Sequence, residues 1–311
     1  MRRTPTPSAC RLVALIAAAI LVAAGLTACG SGDSKDAVSA GSGKLATGQT
    51  STATTAASAA DSCDLTSGFR QAKWASTVTA TYADGKLRYQ SNGLPNHARD
   101  AEYALPNAGV VVPGATTATA GKDPTVAQSY DYSIPTCPVK ADATTKTSLG
   151  VIGVMISGAT LFNPYEGDNT TVATQSNFSV KNASGKDVYF LDSCAGHPTP
   201  MGQYHYHALP KCVTAQVDAA NGPSHMIGIA FDGYPIYGDR DVNGKQLTAA
   251  DLDACNGITS ATPEFPKGVY HYVLLDVAAS TSSIRCFTGK VDASLTARAG
   301  GGMAGMPGMR P

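Results

Sequence analysis

An all-β or β-rich fold, built as a single disulfide-stabilised domain with an internal pseudo-duplication, is the expectation from three features of the 311-residue chain. Its apolar segments, among them "SLGVIGVMISG", "DVYFLD", "MIGIAFDGYPIYG" and "GVYHYVLLDV", are short, rich in β-branched and aromatic residues, and bounded by Gly, Pro, Asn or Asp. Six cysteines fall between residues 63 and 286, with no C-x-x-C pair among them. Two segments of the middle of the chain recur in the same order about 70 residues later, a period longer than most short repeat units.

From the N-terminus, residues 1–28 have the layout of an export signal, with "MRR", the apolar run "LVALIAAAILVAAGL" and a small-residue end "LTAC". Leu12–Leu26 is shorter than the roughly 20 apolar residues that a membrane span needs. "LTAC" has the form of a lipobox, so Cys29 is expected to become the lipidated N-terminus of the mature chain. That places the protein outside the cytoplasm, anchored to the outer face of the cytoplasmic membrane by its acyl (palmitate-type) lipid.

Residues 29–62 are Gly, Ser, Thr and Ala with little to bury, and are expected to form a flexible tether. Residues 63–297 are expected to form the domain, and residues 298–311 a Gly/Met-rich disordered tail. In that tail Met303, Met306 and Met309 stand three apart, a thioether spacing suited to Cu(I). Within the domain only "TAADLDAC" has a helical pattern, with Thr248 as its N-cap. The formal net charge is zero and there is no basic cluster, so nucleic acid is not an expected partner.

The repeat pairs "VIGVMISGATLFNP" (151–164) with "MIGIAFDGYPIYGD" (226–239), and "LDSCAGH…GQYHYH" with "LDACNGI…GVYHYV". Alignment sets His205 against His271, but His197 against Ile258 and His207 against Val273. It also puts one cysteine before and one after each Tyr-His-Tyr. Cys194 is therefore expected to pair with Cys212 and Cys255 with Cys286, leaving Cys63 for Cys137. Exported six-cysteine domains favour such disulfides over thiolate clusters.

Alternate residues of a strand share a face, so a "YHYH" strand projects His205 and His207 together and its tyrosines to the other side. Two imidazoles so placed can chelate a transition metal, copper or zinc most readily. His197, held near by Cys194, is a candidate third ligand; His225, His271 and His97 complete the histidines. Asp232 in "FDGYP" is either a ligand, a group orienting a histidine, or the first residue of an Asp-Gly turn. The competing structural reading makes the histidines hydrogen-bonded core groups. No G-x-S-x-G elbow, Walker loop or H-E-x-x-H is present, and no role is expected for the sequons at Asn169, Asn177 and Asn182.

The stretches "GQYHYHALPKC", "SNGLPNH", "YDYSIP", "SHMIGIAFDGYPIYG", "DACNG", "TPEFPKGVYHY" and "CFTGK" resemble the YHYH-domain family over Leu87–Lys290. The resemblance implies an exported or surface protein associated with metal binding. It carries His97, His197, His205, His207, His225, Asp232 and His271 as candidate site residues. The chain departs from the family pattern at Ile258 and Val273, where histidines are expected, which weakens any second site. The leading expectation is a lipid-anchored extracytoplasmic protein holding one copper or zinc ion, with hydrolytic and redox chemistry both open to it. The alternative is a non-catalytic binding module in which Tyr204, Tyr206, Tyr234, Tyr237 and Tyr270 line a groove for a wall polysaccharide or a protein.

Overall fold

In the computed structural model, which describes residues 63–110 and 118–300, the repeat becomes a pseudo-twofold sheet. Its eight strands run in the order Gly196–Pro198, Tyr204–Tyr206, Thr160–Phe162, Val151–Met155, Met226–Ala230, Pro235–Tyr237, Val269–Val273, Gly257–Ser260. The two central strands pair antiparallel, Ile229 opposite Val154, and each opens one copy. Each copy is a hairpin, then a strand parallel to its second arm, then an outer antiparallel strand. The registers match as the alignment requires: His197 lies opposite His205, and Ile258 opposite His271. The central strands are buried along their whole length, which accounts for their unbroken apolar sequence.

The repeated "LD-x-C-x-G" has a physical cause. Asp192 Oδ1 accepts the backbone N–H of Cys194 at 2.9 Å and of Gly196 at 3.2 Å, while Oδ2 accepts the Tyr204 hydroxyl at 2.7 Å and that of Tyr103 at 2.9 Å. Asp253 does the same for Cys255 and Gly257, both at 2.8 Å, and for Tyr270 at 2.9 Å. An aspartate binding its own backbone two residues on sets such a turn. The residue before each glycine, Ala195 and Asn256, takes a left-handed φ of 57° and 70°. A Cβ on Gly196 or Gly257 would strike the ring of Tyr204 or Tyr270, so both positions demand glycine.

Smaller sheets flank this core. Val78–Ala83, Lys86–Ser91 and Tyr130–Pro135 form one, and Glu102–Pro106 pairs with Ala118–Lys122. Three disulfides join Cys63 to Cys137, Cys194 to Cys212 and Cys255 to Cys286, with Cα separations of 4.8, 5.4 and 4.8 Å. The Cys63–Cys137 bridge spans 74 residues, and in the loop-entropy account such a closure contributes about 4 kcal/mol. Replacing both with serine is expected to lower the calorimetric melting temperature by about 10 °C; an unchanged value would show that the bridge constrains nothing.

Several expectations need correction. "TAADLDAC" is one 3-10 turn, Ala249–Asp251, with Thr248 N–H donating to Asp251 Oδ2 at 2.8 Å. The helix stops there because Asp253 is taken up by the second copy's turn. An α-helix occupies Lys211–Val217, directly after "YHYH". The last helix, Ala293–Gly300, runs past residue 297, and Leu295 is packed in the core, so the domain extends to Gly300.

Tyr204, Tyr206 and Tyr237 are at most 2 % exposed and Tyr234 is 9 % exposed, so they are core residues and no groove. Half-buried Tyr270 is bonded to Asp253 and Thr288. Among the described residues no helix is long and apolar enough to cross a membrane. Residues 1–62, with Cys29 and the tether, and Met303, Met306 and Met309 lie outside the described residues.

Candidate metal centre

His205 sits mid-strand and His207 directly follows it, anchored by its N–H to the Ala195 carbonyl at 3.0 Å. Strand alternation puts both rings on one face, and the register adds His197 from the neighbouring strand to that face. The tyrosines fill the other face. Tyr204 binds Asp192; the Tyr206 hydroxyl meets Ser157 Oγ at 2.9 Å and His97 Nε2 at 2.7 Å.

The three Nε2 atoms converge. His207 Nε2 is 3.0 Å from His205 Nε2 and 3.2 Å from His197 Nε2. On their other sides, His205 Nδ1 donates to the Gln203 carbonyl at 3.1 Å and His207 Nδ1 to the Asn163 carbonyl at 2.7 Å. A carbonyl only accepts, so these contacts assign the proton to Nδ1 and leave both Nε2 atoms as bare lone pairs. His197 Nδ1 lies beside the Pro198 carbonyl without reaching a hydrogen bond.

Two lone pairs facing each other at 3.0 Å repel unless a cation lies between them. Donors at the 2.0–2.1 Å expected of metal-bound imidazole are separated by about 2.9 Å at right angles and about 3.4 Å in a tetrahedron, and the observed spacings fall in that interval. The residues present therefore fit a metal ion, held by three neutral imidazoles with backbone carbonyls fixing two of the rings.

Protons do not take that place at neutral pH. Burial, and then the neighbouring imidazoles, hold His197 and His205 well below the ordinary histidine range, and burial pushes His207 down to about 4. Phe162 stacks on His205 with centroids 3.7 Å apart, and Phe190 lies 4.0 Å from His197, so aromatic rings flank two of the three imidazoles.

A pH dependence follows for the metal-free protein. Unfolded, an imidazole titrates near 6.5; folded, His207 titrates near 4. Between those values the unfolded chain binds more protons, so stability is complete above about pH 6.5 and falls as pH drops toward 4. His207 alone accounts for about 3 kcal/mol of that loss, and His197 and His205 add in the same direction. The urea midpoint is expected to be distinctly lower at pH 5 than at pH 7.5, and a flat profile would mean that the folded imidazoles carry protons.

The other candidate residues stand apart from the trio. His97 is behind the "YHYH" strand, its Nδ1 on the Ala98 carbonyl and its Nε2 also 3.4 Å from Cys194 Sγ, a sulfur committed to the disulfide with Cys212. His225 pairs through Nδ1 with Glu264 at 2.8 Å. His271 donates to the Val269 carbonyl at 3.0 Å, opposite Ile258. Asp232 is the Asp-Gly turn residue, buried, accepting from Tyr272 at 2.6 Å and from the Gly289 N–H at 2.9 Å, with burial pushing its carboxyl up to about 6.

Sequence reasoning missed Phe162, Phe190, the Asn163 carbonyl and Glu166. Of the missed framework, only Asp192 left a trace, as the aspartate repeated in both "LD-x-C" turns.

A pseudo-twofold β-sheet with one copy carrying a buried three-histidine group defines a disulfide-bonded β-protein with a site able to hold a metal ion. The family described as YHYH protein matches residues 131–248 and 239–289, and the chain belongs to that family. No curated protein and no solved structure matches the chain.

Proposed function

We propose that this is an exported, lipid-anchored protein that binds one transition-metal ion, copper or zinc, through the Nε2 atoms of His197, His205 and His207. The observation that carries the reading is the pair of bare lone pairs held at 3.0 Å, with the third ring 3.2 Å from one of them. All three imidazoles are neutral at pH 7, so loading requires no proton loss. Three imidazoles without a thiolate suit zinc and copper. Held by these three imidazoles, such an ion would supply Lewis acidity or, if copper, one-electron chemistry. Backbone carbonyls hold His205 and His207 in the ligating tautomer, and Phe162 and Phe190 pack against the rings of His205 and His197.

The test is elemental analysis of the full chain purified from membranes without chelator. Close to one equivalent of copper or zinc is expected, and none after incubation with either would overturn the metal reading. The anchor is tested separately by mass spectrometry of the N-terminal peptide. A diacylated Cys29 is expected, and an unprocessed Met1 terminus in membrane-associated protein would overturn it.

A further inference from the structure

The face of the histidine trio opens into a cavity of about 390 Å³. Its walls include Phe162, Phe178, Phe190, Leu105, Val110 and Pro200. Among the described residues that line it, Glu166 is the one carboxylate, and there is no lysine, arginine or aspartate. Ligand cavities are commonly apolar with a few convergent polar groups, and this one lies within their usual size range. At ~30 Å³ per water-sized group it has room for about a dozen non-hydrogen atoms.

Glu166 is 6 % exposed, and its Oε1 accepts the Asn177 side-chain amide at 2.7 Å. An ionised carboxylate has about four acceptor sites and donates nothing, so acceptor capacity remains for a ligand donor. Burial pushes the carboxyl up to about 7, so at pH 8 it is an anion in dry surroundings, where hydrogen bonds to it are strong.

We propose that this cavity binds a small uncharged phenol, with its ring against Phe162, Phe178 and Phe190 and its hydroxyl donating to the Glu166 carboxylate. The inference deepens the metal-site reading by naming the ligand class, and rests on it only for what the histidine end of the cavity holds. Three aromatic walls favour a flat ring through edge and offset contacts. No fixed cationic side chain is present to receive an anionic ligand, and a carboxylate head would meet Glu166 with like charge where screening is weak. The exposed wall is mostly apolar, and of its other polar side chains Asn107, Thr199 and Gln203 are already hydrogen-bonded within the protein, so a sugar would lose hydration for few replacement partners.

The experiment is calorimetric titration of the full chain at pH 8, metal-free and metal-loaded, with p-cresol, toluene, 4-methylbenzoate and glucose as probes. p-Cresol is expected to bind at least tenfold tighter than toluene or 4-methylbenzoate, with no heat from glucose. Glu166→Gln should weaken p-cresol about tenfold, leave toluene within twofold and improve 4-methylbenzoate. Unchanged toluene binding reports that the variant is folded, and the gain for the anion is a shift that lost packing would not produce.

If that variant does not fold, NMR of the native chain decides. p-Cresol should move the ring protons of His197, His205 and His207 and spare those of His225 and His271. No p-cresol binding in either form, preference for 4-methylbenzoate or glucose, or shifts elsewhere would overturn the proposal. Metal content is measured on the same samples. A metal-bearing protein that ignores p-cresol overturns this inference alone, and a protein that takes up neither copper nor zinc on incubation yet binds p-cresol overturns the metal reading alone.

Discussion

His207→Ala is expected to reduce bound metal from close to one equivalent to under a tenth, with all three disulfides still formed. His207 is the ring to remove because its Nε2 lies close to both others, 3.0 Å from that of His205 and 3.2 Å from that of His197. The two rings left behind cannot enclose an ion by themselves, and a position formerly shared with His207 opens to a cavity with few polar groups. The stability consequence is conditional on metal. At a free-metal concentration of one hundred times the dissociation constant, a site present only in the folded state stabilises by about 2.7 kcal/mol. For a domain of this size that is a melting-temperature rise of roughly 5–10 °C in wild type, and none is expected in the variant.

His271→Ala is the matched control. It removes the buried imidazole of the other copy, 3 % exposed, which occupies the strand position of His205, and should retain full metal. If His207→Ala keeps its metal and His271→Ala loses it, the site lies in the second copy. If both variants simply melt earlier with and without metal, the histidines are core groups.

How far the sequence disclosed this site depended on whether each residue belonged to a local pattern. His205 and His207 were legible because strand alternation is a two-residue rule, and His197 because its turn recurs in the second copy. The duplication was legible for the same reason: the two Asp-x-Cys-x-Gly turns impose identical demands, a side-chain acceptor, a left-handed residue and a glycine under a tyrosine ring. Phe162, Glu166 and the Asn163 carbonyl belong to the other hairpin and the loop after it, about 40 residues away. Nothing local marks them as neighbours of the histidines.

The tyrosines misled for a related reason. An alternating Tyr-His strand has two faces of comparable polarity, so the pattern does not say which is inside. What decides is the supply of acceptors: Asp192 for Tyr204, His97 Nε2 for Tyr206 and Glu264 for Tyr237. These let the hydroxyls be buried at little cost, and two of the three, His97 and Glu264, lie far from their tyrosines in sequence. Of the seven candidate ligands only the trio meets: His271 lies in the other copy opposite Ile258, while His97 and His225 are bonded away from the trio, to Ala98 and Tyr206 and to Glu264.

The second large effect is a gain. Ile258→His combined with Val273→His is expected to raise metal content from about one equivalent to about two. His271 already repeats the geometry of His205, its Nδ1 held by the carbonyl two residues earlier at 3.0 Å. Ile258 is its cross-strand partner, as His197 is for His205. Val273 N–H binds the Asn256 carbonyl at 2.9 Å, as His207 N–H binds that of Ala195 at 3.0 Å. Tyr237 edges His271 with centroids 4.9 Å apart, in the aligned position of Phe162. Backbone and register are thus in place, and only two ligating rings are absent.

The cost falls on packing. Val273 is fully buried, and a larger ring there is expected to destabilise the metal-free variant by about 1–3 kcal/mol. Ile258 is half-buried and leaves room to adjust. Metal binding should recover that loss, so the double variant's melting temperature should respond to metal more steeply than wild type does. A Co(II) titration supplies the check, since two tetrahedral three-histidine centres would double the visible absorption of one. A folded double variant that stops at a single equivalent would show that matching strands and registers do not make the copies equivalent as sites. The distinction would then lie in the surroundings, where Phe190 covers His197 in the first copy while the Tyr237 hydroxyl is held by Glu264 at 2.8 Å in the second.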